Sequence, residues 1–131
     1  MLKFALKLDG VGSFLAGLLI LMVRPENGIP IGWLIGVGIF FVIYGAGVFF
    51  LGTRATPDRR AVLMIIIGNL VWGVDSILVA ELKWFPLTGA GTFHVLAQAA
   101  AVIVFAALQI IGYRAAFATA RGTRPRSQSL A

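Results

Sequence analysis

The sequence predicts an all-α membrane protein, an antiparallel four-transmembrane-helix bundle, and three observations carry that expectation. Of 131 residues, 60% are hydrophobic and 12% charged, against about 45–50% and about 25% in ordinary soluble domains. The apolar residues fall into four long runs separated by short polar breaks. The basic residues, 11 Lys and Arg against 5 Asp and Glu, gather at the ends of those runs, where a membrane protein places them. A soluble chain of this size needs far more polar surface to cover its core. The same composition excludes a disordered chain, a collagen-like repeat and, with no cysteine, a disulfide scaffold.

The first span covers about 4–23, with Lys7 snorkelling to the surface, and stops at Arg24-Pro25-Glu26-Asn27-Gly28. A cleaved signal peptide is disfavoured because Asp9 interrupts the apolar stretch and no small-residue cleavage site precedes the turn. The second span, 31–51, is closed by Gly52-Thr53-Arg54 and a Pro57-Asp58-Arg59-Arg60 loop. The third, 61–80, stops at Glu81 and Lys83, and the fourth covers 91–113. About 20 helical residues cross a hydrocarbon core of about 30 Å. Runs of this length without strict alternation are helices and not barrel strands. Residues 114–131 read as a small, basic, disordered cytoplasmic tail, whose arginines serve as a topology signal with attraction to anionic lipid as a by-product. Nothing in that tail interleaves aromatics with its basic residues, so nucleic acid is not an expected partner.

Counting Lys and Arg sets the direction. Lys3, Lys7, Arg54, Arg59, Arg60, Arg114, Arg121, Arg124 and Arg126 lie on one side, Arg24 and Lys83 on the other. Both termini are therefore expected in the cytoplasm of a multi-pass inner (plasma) membrane protein. Trp33 and Trp84 fall at the outer edges and Tyr113 at an inner edge, as an aromatic belt requires.

Lipid supplies no hydrophobic drive between helices, so small residues must bring them together. On the second span Gly28, Gly32 and Gly36 are four apart, and Gly38, Gly45 and Gly52 seven apart. These form two stripes, enough for one neighbour in the bundle and for a partner helix from a homo-oligomer or a larger membrane complex. Gly12, Ser13, Ala16 and Gly17 on the first span, and Ala97, Ala100 and Ala101 on the fourth, have the same character. Short loops favour up-down-up-down topology.

Polar groups inside spans are costly and mark candidate sites. They are Asp9, Asn69, Asp75, His94, Gln98 and Gln109. His94, Gln98 and Gln109 share one face of the fourth helix. Asp75 and His94 each lie about five residues, roughly 7 Å, inside the outer ends of neighbouring helices. A contact between them is expected, with Gln98 a turn deeper and Trp72 as an aromatic wall. Asn69, near mid-membrane and on a different face from Asp75, has no evident charged partner. Asp9 and Gln109 come to similar depths near the other surface and form a secondary pair if helices one and four touch. Two readings of Asp75–His94 stay open: an interhelical clasp, or a site that carries protons, senses pH or holds a cationic ligand. One histidine and no cysteine cannot close a zinc site, and His94 as a lone axial ligand does not make a haem pocket. No phosphate-binding loop, nucleophile elbow or His-Glu-x-x-His motif is present, so neither catalysis nor a cofactor is expected.

Asp9-Gly10, Asn69-x-x-Trp72 and Gly91-x-x-His94-x-x-x-Gln98-Ala99 together resemble a group of small, uncharacterised four-helix inner-membrane proteins of bacteria. The resemblance covers most of 1–114 and implies the fold and compartment derived above, without an activity. Size and span count are also similar to small multidrug-resistance exporters. Those carry a glutamate in the middle of helix one, where this chain has only Asp9 near the end. The expectation is thus a non-enzymatic structural or accessory subunit or homo-oligomer. A small transporter or ligand-binding protein using the Asp-His-Gln cluster is the alternative.

Overall fold

A computed structural model describes residues 1–23 and 28–122. Four helices follow in order: α1 (Leu2–Val23), α2 (Ile31–Thr53), α3 (Arg59–Glu81) and α4 (Gly89–Gly122). The first three have 22, 23 and 23 residues, about 33–35 Å at 1.5 Å per residue, enough to cross a bilayer. α4 has 34 residues and continues as helix beyond Tyr113 through Gly122. The first part of the expected tail is therefore helical, while residues 24–27 and 123–131 lie outside the described residues.

The helix ends have local causes. Pro30 opens α2, its carbonyl accepting from the amides of Trp33 and Leu34. Asp58 caps α3 by accepting from the Ala61 amide at 3.2 Å, and Thr88 Oγ1 accepts from the Gly91 amide at 3.0 Å. The C-terminus of α3 is a Schellman turn: the Trp84 amide donates to the Val79 carbonyl, and Lys83 takes the left-handed conformation, φ 52°.

All four neighbouring pairs run antiparallel, in the ring α1–α2–α3–α4. The closest is α1–α2, built backbone to backbone through glycine. A Cβ on Gly45 would fall 2.4 Å from Phe14 N, and one on Gly10 would fall 2.5 Å from Phe49 N. Gly17 lies against Gly38 in the same way. Leu2 rests on Gly112 to join α1 to α4, and Gly73 receives Ile103 and Val102 to join α3 to α4. The α2–α3 seam is wider and is filled by rings: Trp72 stacks on Phe40 at 5.9 Å and meets Phe41 edge-on at 5.1 Å.

The apolar core lies at the end carrying the N-terminus and the α2–α3 connection, termed the proximal end. It comprises Leu2, Leu6, Val48, Val62 and Ile66, flanked by Ile110, Tyr113 and Phe117 among others. At the distal end the two connections touch. Gly28, φ 84°, lies so close to the Pro86 carbonyl that no side chain fits, and Trp33 pairs with Phe85.

Only 33%, 28%, 28% and 33% of the four spans is buried, and the outward residues include Phe4, Leu15, Leu19, Ile43, Phe50, Met64, Ile67 and Val74. Such a surface belongs in lipid, and the protein is a multi-pass membrane protein with four spans. The glycines of α2 divide differently from expectation. Gly38 and Gly45 are occupied by α1, and Gly28 by the α3–α4 connection. A Cβ on Gly32 or Gly36 would meet nothing within 4 Å, so of the five glycines expected to receive a partner these two are open.

Candidate functional site

One polar side chain from each helix converges inside the bundle. Asp9 of α1 and Gln109 of α4 are both 0% exposed, and Asn69 of α3 is buried between them. Gln109 Nε2 donates to Asp9 Oδ2 at 2.7 Å. Asn69 Nδ2 donates to Asp9 Oδ2 at 2.8 Å and to Gln109 Oε1 at 3.0 Å. Tyr44 of α2 completes the ring, its hydroxyl 3.2 Å from Asp9 Oδ2 and 3.1 Å from Asn69 Oδ1. Its one proton serves one of these acceptors at a time. When it serves Asn69, Asp9 Oδ2 keeps two N–H donors, matching its lone pairs. Asp9 Oδ1 accepts from Ser13 Oγ, one turn along α1, at 3.0 Å.

The local sequence explains the convergence. Gly10 and Gly45 let α1 and α2 approach until Asp9 and Tyr44 stand side by side. Gly112, one turn beyond Gln109, seats the start of α1 against α4. The network crowns the apolar core, because Leu6, Val48 and Ile66 lie within one turn of Asp9, Tyr44 and Asn69 on the proximal side. In lipid every buried polar group needs a protein partner, and each member of this network finds one. Chemically the arrangement is a carboxyl group enclosed by side-chain donors from all four helices.

The structure distributes the expected residues in two groups. Asp9 and Gln109 meet, and Asn69 joins them. Asp75 and His94 are both exposed, and no hydrogen bond or ion pair joins them among the described residues. Register explains the separation. Gly73 packs at Val102 and Ile103, and Asn69 at Gln109. Asp75 therefore stands level with about residue 101, roughly 10 Å along the axis from His94. His94 instead meets Phe93 edge-on. Gln98 is half-buried. Trp72 is half-buried within its ring cluster, and its buried indole N–H has no partner. Among the described residues no three His, Asp or Glu side chains converge as a metal site would need.

Sequence reasoning missed Tyr44, and read Ser13 only as a packing residue. Both were findable. A phenol in the middle of an apolar span needs an acceptor, and antiparallel register brings Tyr44 level with Asp9 and Asn69. Two surface grooves, of about 510 and 520 Å3, lie elsewhere. The first is apolar, lined by Gly32, Trp33, Gly36, Val37, Phe40 and Trp72.

Compared with known protein families, curated proteins and solved structures, the chain matches none.

Proposed function

We propose that the protein is a non-enzymatic structural or accessory subunit of the inner (plasma) membrane, with both termini cytoplasmic, assembling with a second copy or another membrane chain. The observation that carries this reading is the enclosure of Asp9: its carboxylate is consumed by donors from all four helices, as a clasp requires and a translocation path does not. The open Gly32 and Gly36 stripe on α2 supplies a face for a partner helix. Asp75, exposed on a spanning helix, is costly in lipid and gains from being covered.

The chain has no cysteine, which makes single-cysteine crosslinking in native membranes a clean test. Gly36→Cys is expected to form a covalent dimer or adduct on oxidation, while Phe4→Cys on the lipid face of α1 stays monomeric. A monomer at every position, in membranes and in mild detergent, refutes the assembly reading.

A second reading is a small transporter or ligand-binding protein using Asp75, His94, Gln98 and Trp72, with Asn69. It is favoured by one fact: Asp75 and His94 are left accessible rather than consumed in the clasp. Proton or cation flux in proteoliposomes that is lost in Asp75→Asn and His94→Ala supports it over the first.

A further inference from the structure

The second groove, of about 520 Å3, lies at the proximal end where α3 begins and α4 leaves the apolar span, and it is lined by Arg59, Tyr113, Arg114, Phe117 and Ala118. The four α4 residues are spaced i, i+1, i+4 and i+5, so they share one face. Arg59 reaches across from α3 and donates from Nε to the Tyr113 hydroxyl. Its Cζ lies 5.7 Å from the Tyr113 ring centroid and 5.6 Å from that of Phe117, and the two rings are themselves 4.7 Å apart. The guanidinium is thus held in place by a hydrogen bond through Nε and by two aromatic faces. Its Nη fork takes no part in the Tyr113 bond. A planar, oriented fork is the group that matches phosphate oxygens.

Charge at this end is one-sided. Arg114 lines the same groove, and Lys3, Lys7, Arg54 and Arg60 are exposed nearby along the chain ends. Among the described acidic groups only Asp58, beside Arg59 in sequence, is exposed at this end. Asp9 is enclosed in the clasp, Asp58 accepts from the Ala61 amide, and Asp75 and Glu81 lie in the distal half of α3. Phe117 and Ala118 add an apolar wall beside the cations.

We infer that this groove binds the phosphate of an anionic phospholipid headgroup, gripped by Arg59 and Arg114, with the glycerol and upper acyl chain against Phe117 and Ala118. A lipid and not a free phosphate is indicated by the groove's place at the rim of the spans and by its apolar wall. This site stands independently of how the protein assembles.

The test is native mass spectrometry of the full chain in neutral detergent, titrated separately with phosphatidylglycerol, phosphatidylcholine and inorganic phosphate. Both lipids carry the phosphate, but phosphatidylcholine also brings its quaternary ammonium against Arg59 and Arg114, so phosphatidylglycerol is expected to bind at least about ten-fold tighter. Arg59→Gln with Arg114→Gln is expected to abolish that preference. Arg114→Gln alone is expected to weaken it while leaving the Arg59–Tyr113 contact, and so the fold, in place. Lys3→Gln with Arg60→Gln removes the same charge from the same end and is expected to keep the preference. Equal binding of the two lipids overturns the site. Equal loss in the control pair reduces it to a diffuse field, and saturable inorganic phosphate that displaces the lipid overturns the lipid assignment.

Discussion

Asp9→Ala is the sharpest perturbation of the clasp. It removes acceptors for four donors: Ser13, Tyr44, Asn69 and Gln109. Interhelical hydrogen bonds in membrane proteins average about 0.6 kcal/mol, so the three from Tyr44, Asn69 and Gln109 give at most about 1.8 kcal/mol. After the substitution Tyr44 keeps Asn69 Oδ1, and Asn69 keeps Gln109 Oε1. Gln109 Nε2 is left without a partner in a dry site, which adds about 1 kcal/mol. The expected loss is about 2–3 kcal/mol. Asp9→Asn separates shape from charge: its carbonyl can face the donors from the other helices while its amide faces the Ser13 hydroxyl. Charge-assisted bonds are about twice as strong as neutral ones, so this variant should lose only about 1 kcal/mol. The assay is reversible unfolding in mixed micelles followed by tryptophan fluorescence, with Trp72 close to the clasp as reporter. Asp75→Ala serves as control and should unfold with the parent protein. Asp9→Ala within about 0.5 kcal/mol of the parent, well under one average pair of such bonds, refutes the clasp.

Further substitutions test the packing. Gly45→Ala drives a methyl into the α1 backbone and should cost about 1–3 kcal/mol or more, whereas Gly36→Ala meets nothing within its own chain and in the monomer should be neutral or stabilising by up to about 1 kcal/mol; the same unfolding assay, on monomeric protein, compares them. Trp72→Phe keeps a ring against Phe40 and Phe41 while deleting the unpartnered indole N–H, so thermal unfolding should show little loss relative to Trp72→Ala, which also empties the α2–α3 seam. Lys83→Gly relieves the left-handed backbone at the end of α3 and should stabilise by about 0.5–1 kcal/mol. Asp58→Ala removes the cap of α3 and should cost about 1 kcal/mol, read as a lower melting temperature.

The span count, the helical state and the lipid-facing character were legible in the sequence because each depends on a run of neighbours. An unbroken apolar stretch in lipid has one way to satisfy its backbone, and short polar breaks force consecutive helices to run antiparallel. The Asp9–Gln109 approach was legible for a related reason, since depth follows from counting along each helix. The expected Asp75–His94 contact takes the distal ends of α3 and α4 as level, whereas α4 begins several residues beyond the end of α3. Packing of Gly73 against Val102 and Ile103 instead offsets those two residues along the axis.

The joining of Asn69 and Tyr44 to Asp9, and the division of the α2 glycines between α1 and open groove, were decided by tertiary structure alone. Both depend on how each helix is rotated about its axis and how far it slides past its neighbour. Those quantities come from side chains meeting across the bundle, and hydropathy along a nearly uniformly apolar helix contains almost no information about rotation.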